Sequence, residues 1–309
     1  MLLGGDLGGT KTLLALAERR DGRLHIVRQQ RYASQDYPTF AALLGDFLAG
    51  QTSIAGACFG VAGPTDGRRA KLTYLPWQLA AAELASCFAI NRVVLVNDFA
   101  AAAHGLEHVA ATNILTLQTG QPIAGAPRVI LGAGTGLGVA GLVWQADRYR
   151  VIPGEGGHFG FSPQSEQQGE LWRWLRQQHG RVTSEHVISG PGLARIFTFL
   201  GGPSLSPAEI GAAALTGSQP LAGAAVRLWL ECYGAFAGDL AMHWLAHGGV
   251  YLAGGIAGKL LPHIDRSPFI AAFLDKYEHA NLMADMPLHL VSSEDLGLTG
   301  ALAIAADLA

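Results

Sequence analysis

Residues 4–17 read GGDLGGTKTLLALA, and residues 132–143 read GAGTGLGVAGLV. Each stretch is a glycine–threonine turn that feeds an apolar run of strand length, with Gly8-Gly9-Thr10 as the turn in the first and Gly134-Thr135-Gly136 in the second. GGTKTLLALA at 8–17 and GTGLGVAGLV at 134–143 echo one another as one strand–turn–strand unit written twice. The echo is short, and what it predicts is a duplicated α/β architecture.

Working outward from the first turn, Leu2–Gly5 and Thr12–Ala17 read as strands, and Asp21-Gly22 turns the chain into a third around Leu24–Arg31. Phe40, Leu43, Leu44, Phe47 and Leu48 recur at helical spacing after Pro38. An apolar strand near Ile54–Val61, a helix over Gln78–Phe88 and a buried strand at Val93–Val96 come next. That strand runs out at Asn97-Asp98, where a helix carrying Ala100–Ala103 begins. After about Glu107 the pattern starts again. Strands at Ile114–Leu117 and Val129–Leu131 lead into the second turn, and Val139–Trp144 forms a hairpin with Tyr149–Ile152. The remainder is mainly helical, with a long apolar helix from about Leu221 to Leu245, a strand at Val250–Ala253 and a helix opened by Gly254-Gly255. A strand at Leu288–Ser292 and a closing helix end the chain.

Composition narrows the class of function. The chain has 309 residues, half of them hydrophobic and 15% charged, which is ample for about two domains. A net charge of −3 and no run of like charges leave no electrostatic footprint for nucleic acid. The apolar start meets Asp6 at once and lacks a basic flank, so it does not read as a signal peptide. The 18 uncharged residues 129–146 approach the length of a membrane span, but five of them are glycines, each unfavourable to a helix by ~1 kcal/mol. A glycine-rich turn between buried strands is the expectation there, and no membrane partner. Three scattered cysteines with no C-x-x-C pair imply a reducing, cytoplasmic setting.

The glycines invite three ligand readings. Gly136-x-Gly138-x-x-Gly141 has the spacing of a dinucleotide fingerprint, but Val139–Trp144 reads as a strand, whereas the fingerprint needs a helix whose N-terminus faces the pyrophosphate. Residues 253–260, AGGIAGKL, fail as a P-loop at both ends, with Ala253 for the first glycine and Leu260 for the hydroxyl that would hold magnesium. Taken together, the turns suit a triphosphate. Gly8, Gly9, Thr10 and Lys11 on one turn and Gly134, Thr135 and Gly136 on the other bring backbone N–H groups close to phosphate oxygens, with Asp6 facing Mg2+ through water. Gly254 and Gly255 would let adenosine lie flat against the backbone. Each turn taken singly reads first as a tight hairpin. Asn97-Asp98 has the same ambiguity, since a strand's carboxyl end is where open α/β sheets place ligands and Asn and Asp are also favoured helix caps.

The series GGDLGGTKT, VNDFAA, LGAGTGLGVA, GEGGH, SEHVISGPGL and YLAGGIAGK resembles the bacterial glucokinase family, within the actin–hexokinase–chaperone ATPase superfamily. The motifs run from residue 4 to 259. The resemblance implies a two-domain, duplicated actin-like (ribonuclease H-like) fold. Residues 1–108 with 291–309 would form a small domain and 109–290 a large one, with MgATP and glucose in the cleft between them. It also implies roles. Asp98 is the general base for phosphorylation of the glucose 6-hydroxyl, and Asn97, Glu155, His158 and Glu185 bind the sugar's hydroxyls. ATP and Mg2+ are the implied cofactors, and a homodimer is compatible with the family. Two positions depart from its pattern: Lys11 stands where Asn is common, as in the sister ROK kinases, and Tyr74 stands for an expected Asn in a sugar loop. Alternatives are a kinase for another hexose such as mannose or an amino sugar, and a non-enzymatic sugar sensor. Against the sensor, the first phosphate turn begins so early that no helix-turn-helix fits ahead of it.

Overall fold

The computed structural model describes residues 1–21, 23–50, 53–73 and 75–309. Tyr74 and Gly22, singled out above, lie outside the described residues. Residues 1–110 with 293–309 form one unit and residues 111–292 another.

In the first unit, strands β1 (Leu2–Leu7), β2 (Lys11–Arg20), β3 (Arg23–Ala33), β4 (Gly56–Val61) and β7 (Val93–Asn97) make a sheet in the order β3-β2-β1-β4-β7. The first three are antiparallel neighbours, and β4 and β7 extend the sheet in parallel. Side chains alternate across a strand, and β2 shows what that does. Leu14 and Leu16 join Phe40, Leu43, Leu44 and Phe47 of α1 (Phe40–Leu48) on one face. Leu13, Ala15 and Ala17 meet Leu298 and Leu302 of α12 (Leu296–Leu308) on the other. The chain's last helix thus completes the core of its first unit.

A short pair, β5 (Arg69–Lys71) and β6 (Gln78–Ala80), lies apart from that sheet. It corrects the expected helix over 78–88, because α2 begins only at Ala81 and ends at Cys87. Residues 78–80 give their backbone to β5 and bury Leu79, which outweighs continuing the helical run. Likewise β4 starts at Gly56, and Ile54 makes only an isolated bridge to Ile90. Helix α3 (Asp98–Gly105) follows β7 directly.

The second unit repeats the plan. Strands β9 (Arg128–Ala133), β10 (Leu137–Gln145), β11 (Arg148–Gly154), β12 (Gly249–Ala253) and β13 (Leu288–Val291) run in the order β11-β10-β9-β12-β13, with the same antiparallel and parallel senses as the first sheet. Strand β8 (Ile114–Gln118) is added antiparallel at the β13 edge. The echo of glycine turns is therefore a duplicated α/β topology, and the uncharged run 129–146 is largely the β9–β10 hairpin. The insert between β11 and β12 carries α4 (Glu166–His179), α5 (Ser184–Val187), α6 (Gly190–Phe199), α7 (Pro207–Thr216) and α8 (Pro220–Trp244). Helices α9 (Gly255–Leu260), α10 (Ser267–Leu274) and α11 (Ala280–Asp285) lead from β12 to β13. Helix α8 is the spine of this core, burying Trp229, Tyr233 and Phe236 among residues of β9, α6 and α10. Among the described residues no helix is long and apolar enough to cross a membrane.

Candidate active site

The first glycine turn closes on itself. Gly8 N–H donates to the Lys11 carbonyl at 2.9 Å, so this member of the expected phosphate nest is already engaged within the hairpin. Ser34 then ties the turn from behind. Its N–H donates to Thr10 O at 3.0 Å and its hydroxyl to Gly8 O at 2.8 Å. The hydroxyl of Thr12 lies 3.0 Å from that of Ser34, and both side chains are fully buried. Neither residue was legible as functional, because a lone Ser after a polar strand carries no pattern. Asp6 stands at the end of β1, its carboxylate so close to α12 that a Cβ at Gly297 would come within 3.1 Å of it. Burial pushes this carboxyl up to about 6, with the charge of Lys11 pulling it down and that of Asp295 adding to the rise.

Asn97 and Asp98 stand differently at the start of α3. Asn97 is the helix cap, its Oδ1 accepting from Phe99 N at 2.9 Å and Ala100 N at 3.1 Å. Asp98 is the first helical residue, and its Oδ1 accepts from Phe99 N at 2.8 Å. Within this sheet Asp6 pairs in register with Gly60 and Asn97 with Val61. Asp6 and Asn97 are therefore at the carboxyl ends of parallel strands on either side of β4, roughly 10 Å apart at the backbone.

In the second unit Gly134 N–H donates to Gly136 O, and Gly190 N–H to Gly134 O, both at 2.8 Å. Gly134, Thr135, Gly190, Gly255, Ile256 and Lys259 share a mostly apolar cavity of about 550 Å3. Gly255 has open space where a Cβ would stand, whereas Gly254 is held by its backbone (φ 89°) against the Ala133 carbonyl. The structure thus brings Gly134, Thr135 and Gly255 to one cavity. Ile256 and Lys259 lie within the quoted YLAGGIAGK motif but were given no role of their own, and the α7 residues there carried no signal in the sequence, since their approach to the turn is tertiary.

The expected sugar ligands of this unit lie in the loop after β11 and on α5. Glu155 Oε2 and His158 Nε2 are 3.9 Å apart and largely exposed. The glycines between them are buried, and a Cβ at Gly157 would collide with the Leu137 carbonyl. The loop is clipped to the segment ahead of α5 by Ser184 N→Phe159 O at 2.8 Å and Phe161 N→Val182 O at 3.1 Å. Glu185, half-buried on α5, accepts from Leu137 N at 2.9 Å through Oε2, at the base of the glycine turn. His186 behind it accepts from Thr183 N at 3.0 Å through Nδ1. Its pKa is lowered by burial first, then by His179 and Arg195.

The glucokinase family model matches residues 3–308. A curated glucokinase of Nostoc sp. (strain PCC 7120 / SAG 25.82 / UTEX 2576) is 39% identical over 341 aligned positions, covering 100% of this chain and 99% of the relative. Among solved structures, a glucokinase from an Antarctic psychrotroph superposes with a TM-score of 0.86 at 28% identity, over 99% of this chain and 98% of the other. A glucokinase from Balamuthia mandrillaris in complex with glucose gives 0.84 at 22% identity, over 99% and 93%, a likeness of fold. Spanning nearly every residue, these matches agree with the motif series and the duplicated sheets, and the chain belongs to the glucokinase family.

Proposed function

We propose that this enzyme transfers the γ-phosphoryl group of ATP to the 6-hydroxyl of glucose, with Asp98 as general base. The observation that carries the reading is the hydrogen bond from Leu137 N to Glu185 Oε2, 2.9 Å. It ties Glu185, one of the residues assigned to the sugar, to the glycine turn that lines the nucleotide-sized cavity, so acceptor and donor groups would adjoin as phosphoryl transfer requires.

The carboxylates of Glu155 and Glu185 accept from sugar hydroxyls, and His158 donates or accepts beside them. Asn97, with Oδ1 committed to its helix, donates through Nδ2 to a sugar oxygen. Asp98 takes the proton of the 6-hydroxyl as that oxygen attacks the γ-phosphorus. The bond from phosphorus to the β–γ bridging oxygen breaks, and its electron pair leaves with ADP. The backbone of Gly9, Thr10, Gly134, Thr135 and Gly136, with Lys11, meets the phosphates, while Gly254 and Gly255 shape the floor for adenosine and Gly8 closes the turn. Asp6 fits a water-bridged Mg2+, since burial raises its carboxyl to about 6 against the opposing pull of Lys11, which leaves its charge only partly compensated. Among the described residues no cluster of three or more acidic, His or Cys side chains offers a full cage, which suits an ion arriving on the nucleotide's phosphates. When bound, Mg2+ neutralises charge on the transferring group.

The test is Asp98→Asn. Because Asn97 supplies the cap, this variant keeps the helix start intact, and its melting temperature should stay at the wild-type value. Loss of the base lowers kcat by on the order of 10²–10⁴ while glucose affinity by calorimetry is retained. A folded variant keeping more than about a tenth of wild-type kcat removes Asp98 from the mechanism. A coupled assay over glucose, mannose, fructose, N-acetylglucosamine and galactose fixes the sugar, with glucose expected to have the highest kcat/KM.

A further inference from the structure

Helix α5 is a single turn of four residues, Ser184–Val187, and it carries Glu185. A helix this short has almost no internal hydrogen bonding to hold it, so its end groups decide whether it forms. The usual device for closing such a start is Ser or Thr at the cap with Glu or Gln three residues on, whose side chain accepts from the cap's own N–H. Here the cap is Thr183 and the residue three on is His186, and an imidazole Nδ1 does the work of the carboxylate, 3.0 Å from Thr183 N and 3.1 Å from Thr183 Oγ1. A ring nitrogen accepts only while it carries no proton. Protonation would set Nδ1–H against Thr183 N–H, turn the ring to donate to Thr183 Oγ1 instead, and leave the cap's own N–H without its acceptor.

Every element around the ring bears on its charge. The ring of His179, on α4, stacks on it with centroids 4.6 Å apart and planes 11° from parallel. Arg195, on α6, donates from Nη1 to the His186 carbonyl at 3.1 Å. Both lie close to a position where a second cation is unwelcome, and His158, in the loop clipped to this segment, adds to that when protonated. Glu185 on the same turn pulls the other way. The half-buried ring is therefore kept neutral by burial and by its neighbours, with its acceptor nitrogen on the Thr183 N–H.

We infer that His186 is a positioning residue for Glu185: its unprotonated Nδ1 closes α5 and thereby holds the Glu185 carboxylate against Leu137 N, which makes glucose affinity depend on the protonation state of this one ring. The inference rests on Glu185 as a glucose ligand. It goes beyond that reading by giving the site a proton-sensitive support that itself touches no substrate.

The experiment measures glucose KM and kcat between pH 5.5 and 8.5 at saturating MgATP, with glucose affinity by calorimetry, for wild type, His186→Gln and His186→Ala. Gln restores the usual acceptor and does not titrate. The expected wild-type result is a glucose KM that rises about fivefold toward low pH, the size of a lost helix cap. His186→Gln should match wild type at pH 8 and lose that part of the pH dependence, while His186→Ala has the raised KM at every pH and keeps most of its kcat. The inference is overturned if the low-pH rise persists undiminished in His186→Gln, since another ring, such as His158, then titrates. It is equally overturned if a folded His186→Ala keeps wild-type KM across the range. Should His186→Ala fail to fold, the His186→Gln profile alone decides. A wild-type enzyme inactive on glucose at any pH would instead remove the parent reading, an outcome visible before any variant is compared.

Discussion

Asp6 shows how much a single carboxylate can be asked to bear before a ligand arrives. Its ordinary value of 3.8 rises to about 6 because burial penalises the charge more than Lys11 relieves it. In linkage terms the folded state holds a proton that the unfolded chain has released. The associated stability is complete below pH 3.8, declines as pH rises, and is lost above about 6. Asp6→Asn removes the charge, so the ligand-free variant should be more stable than wild type at pH 7.5 by about 1–3 kcal/mol. The upper figure converts the whole rise from 3.8 to about 6 at ~1.4 kcal/mol per pH unit. At pH 4 the two should melt together. Thermal melts at both pH values check this, and equal melting temperatures at pH 7.5 would mean that the carboxylate is not short of charge. The same variant should lose the stabilisation that MgATP gives wild type.

At the scale of the element, the turn between β9 and β10 separates hairpin from phosphate loop. Gly134 has no heavy atom within 4 Å of where a Cβ would stand, whereas a Cβ at Gly136 would come within 2.7 Å of Glu185 Oε2. Gly134→Val should therefore fold normally and bind glucose as wild type does, but raise the KM for MgATP about tenfold or more, since hydrogen bonds to charged groups contribute ~1.5–3 kcal/mol. Gly136→Val should raise the KM for both substrates, because its side chain pushes on Glu185. Steady-state kinetics on each substrate discriminate the two, and unchanged MgATP kinetics in Gly134→Val would leave the turn as a hairpin only. The hairpin itself was legible from glycines between apolar runs. Its bracing was not, because Gly190 and Glu185 reach it from far along the chain.

At the scale of the whole molecule, the first unit depends on the last residues of the chain. Helix α12 buries Leu296, Leu298 and Leu302 with Ala301, Ala305 and Ala306. The three leucines alone contribute ~5–9 kcal/mol, comparable to the entire net stability of a domain. A chain stopped after Ser292 should lose amide protection throughout β1, β2 and β4 while the strands β9, β10 and β12 keep theirs. Hydrogen exchange measured by mass spectrometry reads this directly. Retained protection in β1 would mean that the sheet does not need its second face covered.

The local features were set by sequence alone: strand and helix periods, the glycine turns, and the acidic and amide residues that the motifs single out. These arise from side-chain alternation and backbone freedom over a few residues, which is why the 8–17 and 134–143 echo reported a duplicated sheet correctly. Tertiary structure alone decided the rest. It drew residues 78–80 into a strand, because a partner strand and the burial of Leu79 outweigh the helical pattern. It divided Asn97 from Asp98, giving the cap to the former. It also placed Ser34 behind Thr10, and His186 behind Glu185. Such supports are contacts between segments far apart or single hydrogen bonds of a buried side chain, and neither leaves a period in the sequence for a reader to find.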